Sequence, residues 1–213
     1  SNIDLIYSGL DRLPDKGEEI FARGFSMQFG GGIPATMINL SRLGVESRII
    51  TFAGHDLFSE FVKKTLNSYP VKTVNLYKGN KMPVVLSSTL LYCGDRSFIS
   101  YTDGMDLNDA VMDEVYENLK GAYVVDMHVG FLDVYKRLKK DGCIQIFDTG
   151  WEDDLTLEKY KDYLEIADYY IPNQKEAMKI TGTSSVEEAA DILSEFFSDV
   201  TIKMDKEGCL LKN

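Results

Sequence analysis

The spacing of apolar and polar positions changes character along the chain. NIDLIY (2–7) reads as a short strand and DRLPDKGEE as a turn, and IFARGFSMQF (20–29) alternates as a partly exposed strand. PATMINLSRL (34–43) sets Met37, Leu40 and Leu43 on one helical stripe, with Gly44 as its stop. SRIITFAG (47–54) has the look of a buried strand. DLFSEFVKKTL (56–66) opens on an Asp cap and lines up Leu57, Phe58, Phe61, Val62 and Leu66.

A β-rich middle follows: KTVNLY, MPVVLSSTLLYC, and SFISY after the turn GDR. From residue 109 helical and strand periods alternate. DAVMDEVYENL is a helix, AYVVDM a strand, FLDVYKRLKK a helix, CIQIFD a strand and LEKYKDYLEI a helix. DYYIP, NQKEAMKIT, SVEEAADILSEFF and VTIKM continue as strand, helix, helix, strand. Strands separated by helices predict a parallel sheet covered on both faces, hence an α/β chain with a small β-rich insertion near its front.

Composition narrows the function. The 213 residues suit one domain, and 44% hydrophobic content supplies a sizeable core. With 34 acidic against 23 basic residues the net charge is −11, a poor match to nucleic acid or an anionic membrane. An anionic ligand therefore needs local donors or a metal. Cys93, Cys143 and Cys209 are far apart and odd in number, which points to free thiols in a reducing, cytoplasmic setting.

Several motifs carry chemistry. Gly30-Gly31-Gly32-Ile33-Pro34-Ala35 fits G-x-G-x-x-A, but the acidic residue that a dinucleotide site needs about 20 positions on is missing. No P-loop spacing occurs. Asp148-Thr149-Gly150 is half of an aspartic-protease pair without its mate, so Asp148 is read as a strand-end carboxylate at a ligand-binding sheet edge. His55 and His128 stand alone and are read as structural, and Asp153-Asp154 as a helix cap. Asn173 and Glu176 open a helix three residues apart. That spacing serves either as a capping box or as two polar groups facing a phosphate or hydrated Mg²⁺.

Taken in order, NID (2–4), the GGG turn with its helix ending RLG, AGHD (53–56), GDRSFISY (94–101), IPNQKEAMKITG (171–182) and IKMDKEGCLL (202–211) resemble the ribokinase/PfkB family of carbohydrate kinases over essentially the whole chain. The resemblance implies a ribokinase-like three-layer α/β/α fold with a mostly parallel central sheet. It also implies a β-sheet lid around 19–28 and 83–101 that closes over the sugar and can pair two subunits.

The implied activity is transfer of the ATP γ-phosphoryl group to a sugar hydroxyl. Asn2, Asp4, Gly30, Gly31 and Gly32 would bind the sugar, and Asn173, Glu176, Lys203 and Asp205 would lie at the ATP, with Glu176 near the Mg²⁺. The family usually carries Asn at the position of Ala35 and Gly at that of Asp205. Its Gly-Ala-Gly-Asp segment, which supplies the base and an anion hole, is expected beyond Asn213, so no catalytic base is assigned within these residues and this chain alone is expected to be inactive. The alternatives are a degenerate sugar-binding regulator and a nucleoside kinase of the same fold.

Overall fold

The computed structural model describes residues 1–213, which divide into two compact units, Ser1–Asp106 and Leu107–Asn213. The first unit holds β1 (Asn2–Leu10), β2 (Gly24–Gly30), α1 (Gly32–Arg42), β3 (Ser47–Thr51), α2 (Leu57–Asn67), β4 (Val71–Asn75), β5 (Val85–Tyr92) and β6 (Asp95–Tyr101). The second holds α3 (Asp109–Leu119), β7 (Val124–Met127), α4 (Leu132–Lys140), β8 (Ile144–Phe147), α5 (Leu157–Ile166), β9 (Tyr169–Tyr170), α6 (Gln174–Thr181), α7 (Val186–Leu193), β10 (Val200–Lys203) and β11 (Cys209–Lys212).

In the first unit a four-stranded sheet runs β2-β1-β5-β6, with β1 parallel to β5 and the outer pairs antiparallel. The segments around 19–28 and 83–101 supply β2, β5 and β6. The pattern did not reveal that β1 lies between them. Residues 20–23, predicted as part of a strand, precede the sheet. A separate parallel pair, β3-β4, lies with α1 and α2 over a core of Ile3, Ile49, Ala53, Val62, Leu66, Val71 and Val84. Burying such side chains contributes roughly 1.5–3 kcal/mol each. Asp56 caps α2 as expected, its Oδ1 accepting from Phe58 N at 3.0 Å and Ser59 N at 2.9 Å.

The second unit builds a parallel sheet in the order β7-β8-β9. Past β9 the order is carried on by a parallel bridge between Asn173 and Lys203, where Lys203 N donates to Pro172 O at 2.9 Å. β10 then pairs antiparallel with β11, a strand that sequence periodicity did not single out. Phe147 is fully buried on β8 and stacks on Tyr163 of α5 at 5.2 Å between ring centroids.

Two local expectations change. α5 is capped by Thr156 and not by Asp153-Asp154, because Thr156 Oγ1 accepts from Lys159 N while Asp154 pairs with the Lys159 ammonium at 3.0 Å. The predicted 185–197 helix ends at Leu193, leaving residues 194–197 outside it.

Candidate functional site

Two groups of polar residues stand out, one in each unit. In the first, the sheet brings sequence-distant residues onto one face. Register places Gln28, Asp4, Ser87 and Ser100 in a row across β2, β1, β5 and β6. Asn2, two residues before Asp4 on β1, shares that face by the two-residue period of a strand.

Asn2 Nδ2 donates to Asp4 Oδ1 at 2.8 Å, and Ser87 Oγ donates to Asn2 Oδ1 at 3.2 Å. Ser87 and Ser100 hydroxyls are 2.8 Å apart. These bonds fix the Asp4 carboxylate in one orientation with its second oxygen, Oδ2, turned toward Gly30. A Cβ at Gly30 would lie 2.2 Å from that oxygen and 3.1 Å from Asn2 Nδ2, so the position has no room for a side chain.

Gly31 sits at φ 97°, a left-handed conformation that suits glycine, and caps α1 without any side-chain hydrogen bond. The first amides of α1 are thus left to an external acceptor such as a hydroxyl or an anion. Of the predicted acceptor residues, Asn2, Asp4, Gly30 and Gly31 come together. Gly32 starts the helix with open space where its Cβ would be. Ala35 is exposed one turn further on. Ser87 and Ser100 were missed. For Ser87 the signal was available in the polar SST of an otherwise apolar strand, but only pairing links it to Asn2 and Ser100.

In the second unit the C-terminal ends of parallel strands supply the groups. β7 contributes Asp126, Asp148 follows β8, and Lys203 ends β10. Lys203 Nζ donates to Asp148 Oδ2 at 2.8 Å, joining two strand ends. The capping box at α6 is complete: Asn173 Oδ1 accepts from Glu176 N at 3.0 Å, and Asn173 N donates to Glu176 Oε2 at 2.9 Å. Glu176 is buried, an uncommon place for a carboxylate.

Burial pushes the Asp126 carboxyl up to about 6, with the Asp148 charge adding to the rise and Lys203 opposing it. Glu176 is raised by the same burial and by Asp148, against the Asn173 hydrogen bonds and Lys203. Of these carboxylates, Asp148 is the one bonded to the Lys203 ammonium. Asp205 begins a 3₁₀ turn at φ 53°, exposed, two residues past Lys203.

His128 is exposed, its Nδ1 lying 2.8 Å from Val129 O, while its backbone N–H donates to the Tyr135 hydroxyl at 2.8 Å. Sequence reasoning missed Asp126, whose signal was a lone carboxylate inside an apolar strand. It identified Asp148 as a strand-end carboxylate, which is where the structure places it.

A fit to Mg²⁺ can be judged from these groups. No set of three or more His, Cys, Asp or Glu converges in a geometry able to hold an ion by itself. Mg²⁺, however, takes one or two protein carboxylates and completes its shell with water and phosphate oxygens. Glu176 is the buried carboxylate of this group that could serve such a hydrated ion.

Comparison with known proteins places the architecture among the ribokinase-like α/β folds. A ribokinase from Giardia lamblia superposes with a TM-score of 0.83 at 18% identity, covering 99% of this chain and 68% of that one. Ribokinase of Arabidopsis thaliana, solved with ribose and ATP, gives 0.73 at 21% identity over 99% and 71%. Phosphofructokinase-2 of Escherichia coli, solved with fructose-6-phosphate, gives 0.71 at 17% over 100% and 74%.

The profile of the pfkB family of carbohydrate kinases matches residues 1–213, and the chain belongs to that family. A protein of Pyrococcus horikoshii assigned as a sugar kinase is 35% identical over 92 residues, 41% of this chain and 30% of that relative's length. No helix is long and apolar enough to cross a membrane.

Proposed function

We propose that the whole protein transfers the γ-phosphoryl group of ATP to a hydroxyl of a sugar or sugar-like alcohol. The observation that carries this reading is the close approach of Gly30 to Asp4. A carboxylate oriented by Asn2, beside a backbone stripped of side chains, suits a ligand rich in hydroxyls. Asp4 would accept hydrogen bonds from the acceptor's hydroxyls, Asn2 would hold that carboxylate in place, and the amides at Gly31 and Gly32 would donate. A sheet that closes over the acceptor would also exclude water and limit ATP hydrolysis.

Asn173, Glu176 and Lys203 would organise the nucleotide side, with Asp205 lying beside them. Mg²⁺, when bound, would neutralise phosphate charge, and Glu176 would hold its hydration shell. Phosphoryl transfer depends on positioning and charge stabilisation, so these residues act chiefly by orientation. The test is transfer of labelled phosphate from ATP to a panel of pentoses, hexoses and nucleosides by the whole protein. Transfer to at least one is expected. Complete absence of transfer, with sugar binding intact, sinks the reading in favour of a sugar-binding regulator. Asp205 is the feature that favours the regulator, since its carboxylate beside bound phosphates would repel them. Calorimetry with Mg-ATP separates the two, because a regulator needs only the small ligand.

A further inference from the structure

The polar row through Asp4 and Ser87 has a neighbour of a different kind on the same face of the sheet. Two residues further along, register sets Ile6 of β1, Thr89 of β5 and Phe98 of β6 side by side. At about 3.3 Å per residue this second row lies about 7 Å from the first. Phe98 is 53% exposed, Ile6 is partly buried, and Thr89 lies on the floor between them. The Thr89 hydroxyl is buried and has no hydrogen-bond partner, an uncommon state for a polar atom in a fold. Arg96, two residues before Phe98 on β6, brings its guanidinium to 5.8 Å from the centre of the Phe98 ring.

The face therefore passes from hydroxyl chemistry to aromatic and aliphatic chemistry within the length of one small molecule. A free sugar spends its hydroxyls on the first row. The second row offers a ring, a branched aliphatic wall and one unanswered hydroxyl, which is the lining that suits a flat ring with a polar edge. We propose that the acceptor is a polyol carrying such a ring, the chemistry of a nucleoside or an aryl glycoside, and that Phe98 is the residue that selects it. The polyol lies on the Asp4 row and the ring packs against Phe98 and Ile6. The Thr89 hydroxyl, directly opposite Phe98 in the register, is uncovered for the ring's polar edge as Phe98 turns to stack. Arg96 steadies the Phe98 ring by a cation–π contact. A second copy of the chain is the lesser candidate for covering Phe98. Side chains alternate along β6, so Ile99 and Tyr101, on the face expected to pair, point away from it. The inference rests on the proposed acceptor role of this face, but its test needs no turnover.

Calorimetry on the whole protein compares two ring-bearing probes with their own sugars: uridine with ribose, and phenyl β-D-glucoside with glucose. Neither probe carries the adenine of ATP. At least one of them is expected to bind about tenfold or more tightly than its sugar, the scale of one aromatic stacking contact. Phe98→Ala should erase that advantage and leave the affinity for the sugar unchanged, whereas Phe98→Trp should keep it. Phe98 is half-exposed on an edge strand, so these variants are expected to fold, which circular dichroism checks. Should Phe98→Ala not fold, Phe98→Leu takes its place, keeping bulk and losing the ring.

No advantage of the ring in either pair overturns the proposal, as does an advantage that survives loss of the Phe98 ring. A loss that falls equally on probe and sugar overturns it too, since Phe98 then only supports the sheet. So does a Phe98→Ala protein of unchanged affinities that sediments as a smaller species, because the ring then serves a second copy. Ring-selective binding without transfer to any alcohol would leave this inference standing and remove the kinase reading. Transfer to free sugars with no ring preference does the reverse.

Discussion

Gly30 and Gly32 are two residues apart and predict opposite outcomes. Alanine at Gly30 drives a methyl into Asp4 Oδ2 and, at 2.8 Å, its Cγ, so the carboxylate must rotate away from Asn2. Because the displaced atoms end a side chain, Gly30→Ala should cost only about 1–2 kcal/mol of stability. It should still weaken binding of the acceptor identified by the transfer assay at least about tenfold, an effect equal to losing one charged hydrogen bond. Gly32→Ala meets no protein atom, so its stability should hold or rise slightly. Thermal melts and calorimetry on the pair would show whether the close approach or mere glycine content matters.

Asp126 supplies a second prediction on the scale of single residues. Its folded carboxyl titrates near 6, above the ordinary unfolded value of about 3.9. The folded state therefore holds more protons than the unfolded state between about pH 4 and pH 6, and stability falls as pH rises through that window. Asp126→Asn removes the proton dependence. It should match the parent near pH 4 and exceed it by about 1–3 kcal/mol at pH 8. Urea melts at both pH values check this, and equal stability of the two proteins at pH 8 would contradict it.

At the scale of elements, α6 asks whether Glu176 is there for the helix or for a ligand. The capping box binds Asn173 and Glu176 into one local unit. Asn173→Ala should cost about 1 kcal/mol by loss of the cap. Glu176→Gln keeps the reciprocal bond and removes a buried, desolvated charge, so stability should hold within about 0.5 kcal/mol or rise. If Glu176→Gln nevertheless abolishes Mg-ATP binding in calorimetry, its charge serves the ligand.

Elements were also where the sequence was most and least readable. α2, α3, α4 and α5 announced themselves because each writes its own helical period within one stretch of chain. Strand partners are different, since they are chosen by residues far away. Nothing local in NIDLIY says that β1 sits between β2 and β5, and so nothing local joins Ser87 to Asn2. β11 lay in CLLK, too short and too weakly alternating to register. For the candidate site, the Asn173–Glu176 spacing and the glycine turn were legible because helix starts and backbone clearance leave residue-type signatures. The Lys203–Asp148 bond was not, since it closes a gap of 55 positions. Asp153 and Asp154 misled for a related reason: an acid before a helix can equally well hold a lysine inside it, as Asp154 does.

At the scale of the molecule, the four-stranded sheet has two unlike faces. Opposite the Asp4 face, register sets Phe25, Ile99 and Tyr101 on the other side, at 62%, 70% and 60% exposure. Phe25 lies on the edge strand β2 and Ile99 and Tyr101 together on the other edge, β6, where they leave apolar surface exposed. The expected pairing of two copies through this sheet makes Ile99→Asp the decisive variant. The parent should sediment as a dimer and Ile99→Asp as a monomer of unchanged helical content. A parent that sediments as a monomer at micromolar concentration would refute the pairing.

Every residue proposed to meet the acceptor lies before position 107, and every residue proposed to meet the nucleotide lies after it. Heritable change can therefore act on one half without consulting the other. Substitutions among Gln28, Ser87 and Ser100 could redirect a lineage to a new alcohol while its dealings with ATP pass unaltered from parent to descendant. Diversification in such a protein would be expected to accumulate unevenly along the gene, fast where choice is exercised and slow where a shared currency is handled.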